Sequence, residues 1–305
     1  MSRKRLISFD WAMRNLLVSK ENFEILEGFL SELLRDDIHI FEILESENEK
    51  KDRRKKFNRV DLLVKNKQGE VVIIEIQYER ESDCLQRILC GTSKVITEHI
   101  QESKPYAEIV KVISVNILYY DLGQGEDYVY HGSTSFLGLH KQDVLQLSED
   151  QQEIYQKHEF RQIFPEYYLI KVNGLNEPPR DGLDEWIYFL KNEEIREDFK
   201  AKGLAKAWQV LDFMALAEQE RFAYERYQED LRHRSTMLRS SYTLGVKKGV
   251  KQGIKQGVRH GLMQGERKKA REIALKLIDV LDAQTIAQKT GLSVEEITAL
   301  PRSKA

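Results

Sequence analysis

The stretch that decides the fold reads Arg59-Val60-Asp61-Leu62-Leu63-Val64, then Lys67-Gln68-Gly69, then Val71-Val72-Ile73-Ile74-Glu75-Ile76-Gln77. Two apolar, β-branched runs on either side of a short polar turn with glycine predict a β-hairpin. A three-residue turn would place Asp61 opposite Glu75, and opposed residues share a face with Cβ atoms roughly 5 Å apart. Gln77 lies two residues beyond Glu75 and therefore points to the same face.

Two carboxylates side by side in an apolar hairpin need a partner, because like charges that face each other on a sheet repel. A divalent cation is the simplest partner, since Mg²⁺ is typically held by one or two protein carboxylates together with substrate phosphate. A solvated acid at a strand end would also explain Asp61. Glu75 is harder to explain in that way, because it lies within the apolar run Ile-Ile-Glu-Ile.

This ordered pattern resembles the core of the PD-(D/E)XK nucleases, in which an Asp and a Glu-x-Lys motif lie on two adjacent strands. Gln77 stands where most members carry Lys, and Glu-x-Gln resembles the variant of the Rpn family of recombination-promoting nucleases, also described as transposases. The segment 9–17 resembles the first helix of that family, and the segment 112–118 resembles its following strand. The resemblance covers roughly the whole chain.

The resemblance implies an α/β fold of the restriction-endonuclease type, a mixed sheet flanked by helices, with a mainly helical C-terminal extension. It implies a DNA endonuclease that uses Mg²⁺ or Mn²⁺ and is linked to recombination, with Asp61, Glu75 and Gln77 as catalytic residues. Asp61 and Glu75 would bind the metal, and Asp10 is a weaker candidate because Asp is an ordinary residue at a helix start. The alternative is a non-catalytic DNA-binding or assembly protein that kept the fold, and the missing Lys favours it.

The distribution of positive charge adds candidate DNA contacts, although the net charge is only −2. A basic run precedes the Asp61 strand, and phosphate contacts could come from Arg53, Arg54, Lys55 and Lys56. A solvated loop explains this run equally well. Arg87, in the helix after the motif, is a weaker candidate, either for phosphate or for an ion pair with Glu75.

Composition excludes several classes of protein. The chain of 305 residues has 41% hydrophobic residues, but it has no apolar run of about 18 residues, so we expect no membrane span. Cys84 and Cys90 fit no zinc pattern, and together with the absence of an apolar leader they indicate a reducing cytoplasm. No phosphate-binding glycine loop is present, so no nucleotide cofactor is expected.

The order of predicted elements matches the implied core. Apolar periodicity predicts a helix over 9–34, strands near 38–44, 59–65 and 70–78, a helix over 82–101 and a strand over 108–120. Two further strands are predicted near 128–130 and 167–172, followed by helices over 183–239. We divide the chain into a nuclease-like core (1–175), a helical extension (176–240), a basic glycine repeat (241–269) and a helical tail (270–305).

The glycine repeat has two open interpretations. Glycine recurs every fourth residue from Gly245 to Gly265, with basic residues between. It is either a flexible basic linker, because each helical glycine costs about 1 kcal/mol relative to alanine, or a ridge that pairs helices in a homo-oligomer. Beyond it, two short helices joined at 291–293 resemble a helix-turn-helix. Glu295 and Glu296 at the start of the second helix favour a packing or assembly role over base recognition.

Overall fold

The structure is a computed structural model that describes residues 5–44, 61–98 and 110–301. The strands in these ranges are β1 (Ile40–Ile43), β2 (Leu62–Asn66), β3 (Val71–Gln77), β4 (Val112–Leu118), β5 (Val129–Gly132) and β6 (Glu166–Lys171). The α-helices are α1 (Phe9–Asn15), α2 (Phe23–Leu34), α3 (Cys84–Glu98), α4 (Glu149–Tyr155), α5 (Gly182–Asn192), α6 (Leu204–Val210), α7 (Glu218–Leu277), α8 (Ala283–Thr290) and α9 (Val294–Thr298).

The six strands form one mixed sheet in the order β1-β2-β3-β4-β6-β5. The central pairs β3–β4 and β4–β6 are parallel, while β1–β2, β2–β3 and β5–β6 are antiparallel. Every residue of β3 and β4 is buried, as expected for central strands covered on both faces. The predicted α/β class, a mixed sheet flanked by helices with a mainly helical C-terminal part, is therefore confirmed.

The hairpin of β2 and β3 has the predicted register. Leu62 pairs with Ile74, and the pairing continues to Lys65 and Val71. The turn has three residues, because the Asn66 N–H donates to the Glu70 carbonyl over 3.0 Å. Gly69 closes this turn at φ +82°, a backbone conformation that favours glycine. Extending the register by one residue places Asp61 opposite Glu75.

The main hydrophobic core covers one face of the sheet. It combines Val72 and Ile74 of β3 with side chains from α1, α2, α5 and α6. The rings of Phe9, Phe29 and Trp186 meet edge to face, with centroids 5.6 to 5.9 Å apart. Fully burying each such ring contributes roughly 2–3 kcal/mol, so this face supplies most of the apolar stabilisation.

The opposite face of the sheet carries helix α3. A smaller cluster joins Val71 and Ile73 of β3 to Val95 of α3 and Val112 of β4. Since side chains alternate along a strand, Glu75 and Gln77 point to this face and not into the main core. The smaller cluster therefore holds α3 against the part of the sheet that carries the motif.

The single helix predicted over 9–34 is wrong, because the chain breaks between α1 and α2. The Asn22 side chain donates to the Leu16 carbonyl over 2.9 Å, and a short 3-10 helix spans Lys20–Asn22. Asn and Ser side chains compete for backbone groups in this way and favour helix ends. Apolar periodicity runs through the break because Leu17 and Phe23 both face the core.

Contacts divide the chain into two units, Met1–Tyr227 and Gln228–Ala305. The functional division at 175, 240 and 269 stays a prediction. The glycine repeat is helical and belongs to α7, so its interpretation as a flexible linker is not what the structure shows. None of the described helices is both long and apolar enough to cross a membrane.

The second unit has its own small core, formed by Ala274, Ile286, Leu292 and Ile297. Gly291 ends α8 in the left-handed conformation at φ +73°. Ser293 caps α9 in a capping box with Glu296, as the sequence Ser-x-x-Glu predicts. The two predicted short helices joined at 291–293 are therefore confirmed.

A substitution at Gly28 tests how closely α2 approaches the chain segment that precedes α6. A Cβ at Gly28 would lie 2.1 Å from the Lys202 carbonyl oxygen, so Gly28→Ala should lower the unfolding free energy by on the order of 2 kcal/mol. Urea unfolding followed by tryptophan fluorescence measures this, because Trp11, Trp186 and Trp208, which are all the tryptophans, lie in the first unit.

Gly257→Ala is the matched control, since a Cβ there meets nothing within 4 Å. It should leave the fluorescence midpoint unchanged and increase helix content. A Gly28→Ala midpoint equal to that of the wild type would contradict the close approach.

Candidate active site

Asp61 lies just before β2, at the end of the sheet where β3 terminates. Its Oδ2 accepts the Ile76 N–H over 2.7 Å, and its Oδ1 accepts from Arg14 Nη2 over 2.7 Å. Burial raises the pKa of this carboxyl above its ordinary value, while the Arg14 guanidinium opposes the rise. Asp61 is therefore fixed by the backbone through one oxygen and neutralised through the other.

Glu75 has no direct cationic partner among the residues that the structure describes. It is buried on β3, and its Oε1 faces α3 at Gly91, where an added Cβ would lie 3.6 Å away. Burial raises its pKa to about 7, opposed by the charge of Arg87 and reinforced by that of Asp61. A buried carboxylate of this kind requires a proton or a cation.

Gln77 is held by two residues that the sequence analysis missed. Its Oε1 accepts from the Tyr120 hydroxyl over 2.6 Å and from the Cys84 thiol over 3.3 Å. Its Nε2 then faces Glu75 Oε2 at 3.5 Å. The amide group is thus oriented with its NH₂ toward the acid. Tyr120 is the last residue of the strand predicted over 108–120 and lies two residues past the observed end of β4, and this position at a strand end is the signal that could have indicated it.

Asp10 is fully buried in α1. Its Oδ2 accepts a hydrogen bond from the Tyr227 hydroxyl of α7, and its Oδ1 has no hydrogen-bond partner in the part of the chain that the structure describes. Its charge contributes to the raised pKa of Asp61. Asp10 therefore lies within electrostatic range of Asp61, although one of its oxygens is engaged by Tyr227.

The predicted DNA contacts are only partly described. Arg53, Arg54, Lys55 and Lys56 lie outside the described residues. Arg87 Nη1 forms an ion pair with Glu81 Oε2 at 2.5 Å and not with Glu75, as one interpretation of the sequence predicted. The positive charge of Arg87 still lowers the pKa of Glu75 without direct contact.

Asn116 is a further polar group that sequence reasoning missed. It lies next to Glu75 in the parallel register of β3 and β4 and is fully buried. Its Nδ2 donates to Ser114 Oγ over 3.0 Å. An Asn within Val-Ile-Ser-Val-Asn-Ile-Leu is as anomalous as a Glu within Ile-Ile-Glu-Ile, and that anomaly was the available signal.

Asp61 and Glu75 fit a hard divalent cation in type and number. Within residues 5–44, 61–98 and 110–301, no three His, Cys, Asp or Glu side chains come together as a metal-binding group. Mg²⁺ does not need three, because it keeps several waters and is usually held by one or two carboxylates plus phosphate. Two observations on the described residues favour such a cation, namely that Glu75 has no direct cationic partner and that Asp10 Oδ1 has no hydrogen-bond partner.

The sequence matches the family described as PD-(D/E)XK nuclease family transposase over residues 7–241. The chain belongs to this family. The match covers α1, the whole sheet and the start of α7, and it confirms the resemblance stated from the Asp61 and Glu-x-Gln pattern. It ends at residue 241, so the expected extent over roughly the whole chain is not supported for the glycine repeat and the helical tail. It supports a nuclease or transposase-like function, and PD-(D/E)XK nucleases generally use divalent metal ions. No curated protein and no solved structure matches the chain.

The raised pKa of Glu75 predicts how stability depends on pH when metal is absent. Between its ordinary value of 4.5 and about 7, the folded state binds more protons than the unfolded state, so stability falls as pH rises. Glu75→Gln removes this loss. In chelator, the variant should gain stability over the wild type between pH 5 and pH 8, by up to about 3 kcal/mol at ~1.4 kcal/mol per pKa unit.

Glu166→Gln provides a control of opposite sign. Lys111, at 2.7 Å, and His131, at 2.8 Å, hold the Glu166 carboxylate and lower its pKa against the cost of burial. This variant should lose stability at pH 8. Urea unfolding in chelator at pH 5, 6, 7 and 8 measures both effects, and a Glu75→Gln curve parallel to that of the wild type would contradict the raised pKa.

Proposed function

We propose that the protein is a DNA endonuclease that hydrolyses phosphodiester bonds with Mg²⁺ or Mn²⁺ and acts in DNA recombination in the cytoplasm. The observation that carries this proposal is Glu75, a buried carboxylate without a direct cationic partner among the described residues, in register with Asp61. Membership of a nuclease family supplies the reaction class.

Asp61 and Glu75 are the proposed metal ligands, with Asp10 as a weaker third. The chemistry that such a cation supplies when bound is polarisation of the scissile phosphate and a lower pKa for a water molecule. The Ile76 N–H keeps Asp61 aimed at the site. Tyr120 and Cys84 occupy the Gln77 carbonyl oxygen, so the NH₂ group points toward Glu75. One N–H faces the Glu75 carboxylate, and the other can donate to a water or a phosphate oxygen next to it.

Substrate binding is proposed to rest on positive charge near the hairpin. Arg53, Arg54, Lys55 and Lys56 precede Asp61 by a few residues in sequence, and Arg87 lies on α3 within electrostatic range of Glu75. Contacts of this kind bind the DNA backbone and carry no sequence information.

A catalytically inactive DNA-binding or assembly protein is the second candidate. One observation favours it, namely that a neutral Gln77 occupies the position of the motif Lys that the family name includes. A neutral amide can orient water but adds no positive charge to stabilise the transition state. The two candidates differ in whether purified protein cuts DNA.

Cleavage of supercoiled plasmid tests the proposal. We expect nicking or cutting with Mg²⁺ or Mn²⁺ and none in excess chelator. Asp61→Ala and Glu75→Ala should each lower the rate by about 100-fold or more, since even residues that only support metal ligands commonly contribute 10- to 100-fold.

Glu98→Ala is the matched control, because Glu98 is a carboxylate on α3 that pairs with Lys94 at 3.4 Å outside the motif. It should cut at the wild-type rate. Cleavage that persists in chelator, or full activity in both hairpin variants, would exclude the metal-dependent mechanism. No cleavage with either metal would favour the second candidate.

A homo-oligomer through α7 is also proposed, because the repeat has two complementary faces. The residue after each of the first five repeat glycines is apolar and about half exposed, namely Val246, Val250, Ile254, Val258 and Leu262. A Cβ added to any repeat glycine would meet nothing within 4 Å. At 100° per residue, the glycine and apolar rows lie next to each other, and the Lys row lies on the far side. A second copy can therefore pack its apolar row into the glycine row.

Light scattering of paired variants measures this association. Replacing Val250 and Ile254 by Gln keeps a good helix former but removes two apolar contacts, so the mass should fall toward that of a monomer. Replacing Lys251 and Lys255 by Gln, on the far side, should leave the mass unchanged. Equal masses for both variants would show that the apolar row does not pair helices.

A further inference from the structure

We propose that Arg14 is a phosphate-binding residue of the site and supplies the positive charge that Gln77 lacks. This inference rests on the proposed nuclease function and deepens it. Arg14 is neither part of the Asp and Glu-x-Gln pattern nor close to it in sequence. Its assignment comes from the position of its guanidinium in the structure.

The guanidinium of Arg14 lies at the mouth of the site. Arg14 occupies the last turn of α1, and its Nη2 reaches Asp61 Oδ1 over 2.7 Å. The Arg14 side chain is 47% exposed, whereas that of Asp61 is 18% exposed. The cation is therefore on the solvent side of the acid, where an incoming phosphate would arrive.

Among the described residues, Arg14 is the cation best placed to bind a phosphate at this site. Within residues 5–44, 61–98 and 110–301, it is the only Lys or Arg side chain that forms an ion pair with Asp10, Asp61 or Glu75. Arg87 influences both hairpin acids through space, but its head group pairs with Glu81. Gln77 is neutral. Arg14 is thus the cation in direct contact with the site.

Arg14 can leave Asp61 without displacing it. The second oxygen of Asp61 accepts the Ile76 N–H, so the backbone of β3 fixes the carboxylate by itself. A guanidinium binds carboxylate and phosphate with the same planar fork of donors. If Asp61 held a metal ion, its charge would be compensated without Arg14, and the Arg14 guanidinium would be free to pair with phosphate. Its role therefore differs from that of a permanent structural ion pair.

The salt dependence of DNA binding tests the exchange. Each phosphate neutralised on duplex DNA adds about 0.9 to the slope of log K against log salt concentration. With a short labelled duplex and Ca²⁺, which shares the oxygen ligands of Mg²⁺, the wild-type slope should exceed the Arg14→Gln slope by about 0.9. In chelator, where Asp61 retains Arg14, the two slopes should agree. Fluorescence anisotropy measures both, on duplex confirmed to be intact.

Three variants sharpen the binding experiment. Arg14→Lys keeps the charge and should keep the wild-type slope in Ca²⁺. Asp61→Ala releases Arg14 without metal and should raise the slope in chelator by about 0.9. Arg161→Gln is the matched control, because Arg161 is an exposed arginine paired with Glu159 before β6, at the end of the sheet opposite Gln77. It should leave every slope unchanged.

Cleavage provides a second readout through rescue. Arg14→Gln should lower the rate, and Gln77→Lys added to it should restore the rate, because a lysine at the motif position returns the missing charge. A structural defect at Arg14 would not be rescued in this way.

Three outcomes would each overturn the role of Arg14: equal slopes for the wild type and Arg14→Gln in Ca²⁺, no DNA binding in Ca²⁺, or failure of the rescue. Absence of cleavage by the wild type would refute the nuclease proposal, while the slopes would still decide whether Arg14 binds phosphate.

Discussion

The register of one hairpin determines where every candidate site residue lies. The three-residue turn closed by Gly69 sets Leu62 against Ile74, and this pairing carries Asp61 and Glu75 to the same face. Because side chains alternate along a strand, a slip of one residue would turn Glu75 into the main hydrophobic core. The cost of burying a charged group there is several kcal/mol, so the correct register is strongly favoured over its neighbours.

The residues that stabilise the fold and the candidate site residues lie on opposite faces of the sheet. One face carries the large core of aromatic and aliphatic side chains around Trp186. The other carries a small cluster around Val95 that is sufficient to hold α3 over the motif. Gly91 of α3 lies over the Glu75 carboxylate, where an added Cβ would be 3.6 Å from Oε1. The acids are thus largely removed from water without being packed into the core, and this raises their pKa values. A bound cation is the partner that we propose for them.

The site handles its charge through groups from several elements. Glu75 and Asp61 come from the hairpin, Arg14 and Asp10 from α1, and Tyr120 fixes Gln77 from beyond β4. In the proposed site, the Gln77 amide would orient a water or a phosphate oxygen, and the Arg14 guanidinium of α1 would supply positive charge. Gln77 and Arg14 together can replace the single lysine of the family motif only if the Arg14 guanidinium can reach the phosphate. The exposure of the Arg14 side chain meets this condition.

The sequence by itself determined the hairpin, its register and the two opposed acids, because a three-residue turn and strict alternation are local rules. It also determined the order of the strands in the chain and the capped helices at 291–293. Only the tertiary structure decided the contacts of Arg14 with Asp61, Tyr120 with Gln77 and Tyr227 with Asp10, whose partners are separated by 47, 43 and 217 residues. Such pairs leave no periodic signal, since they depend on how α1, the strand ends and α7 pack together. The break at Asn22 escaped prediction for a related reason, because the apolar period of the core continues across it.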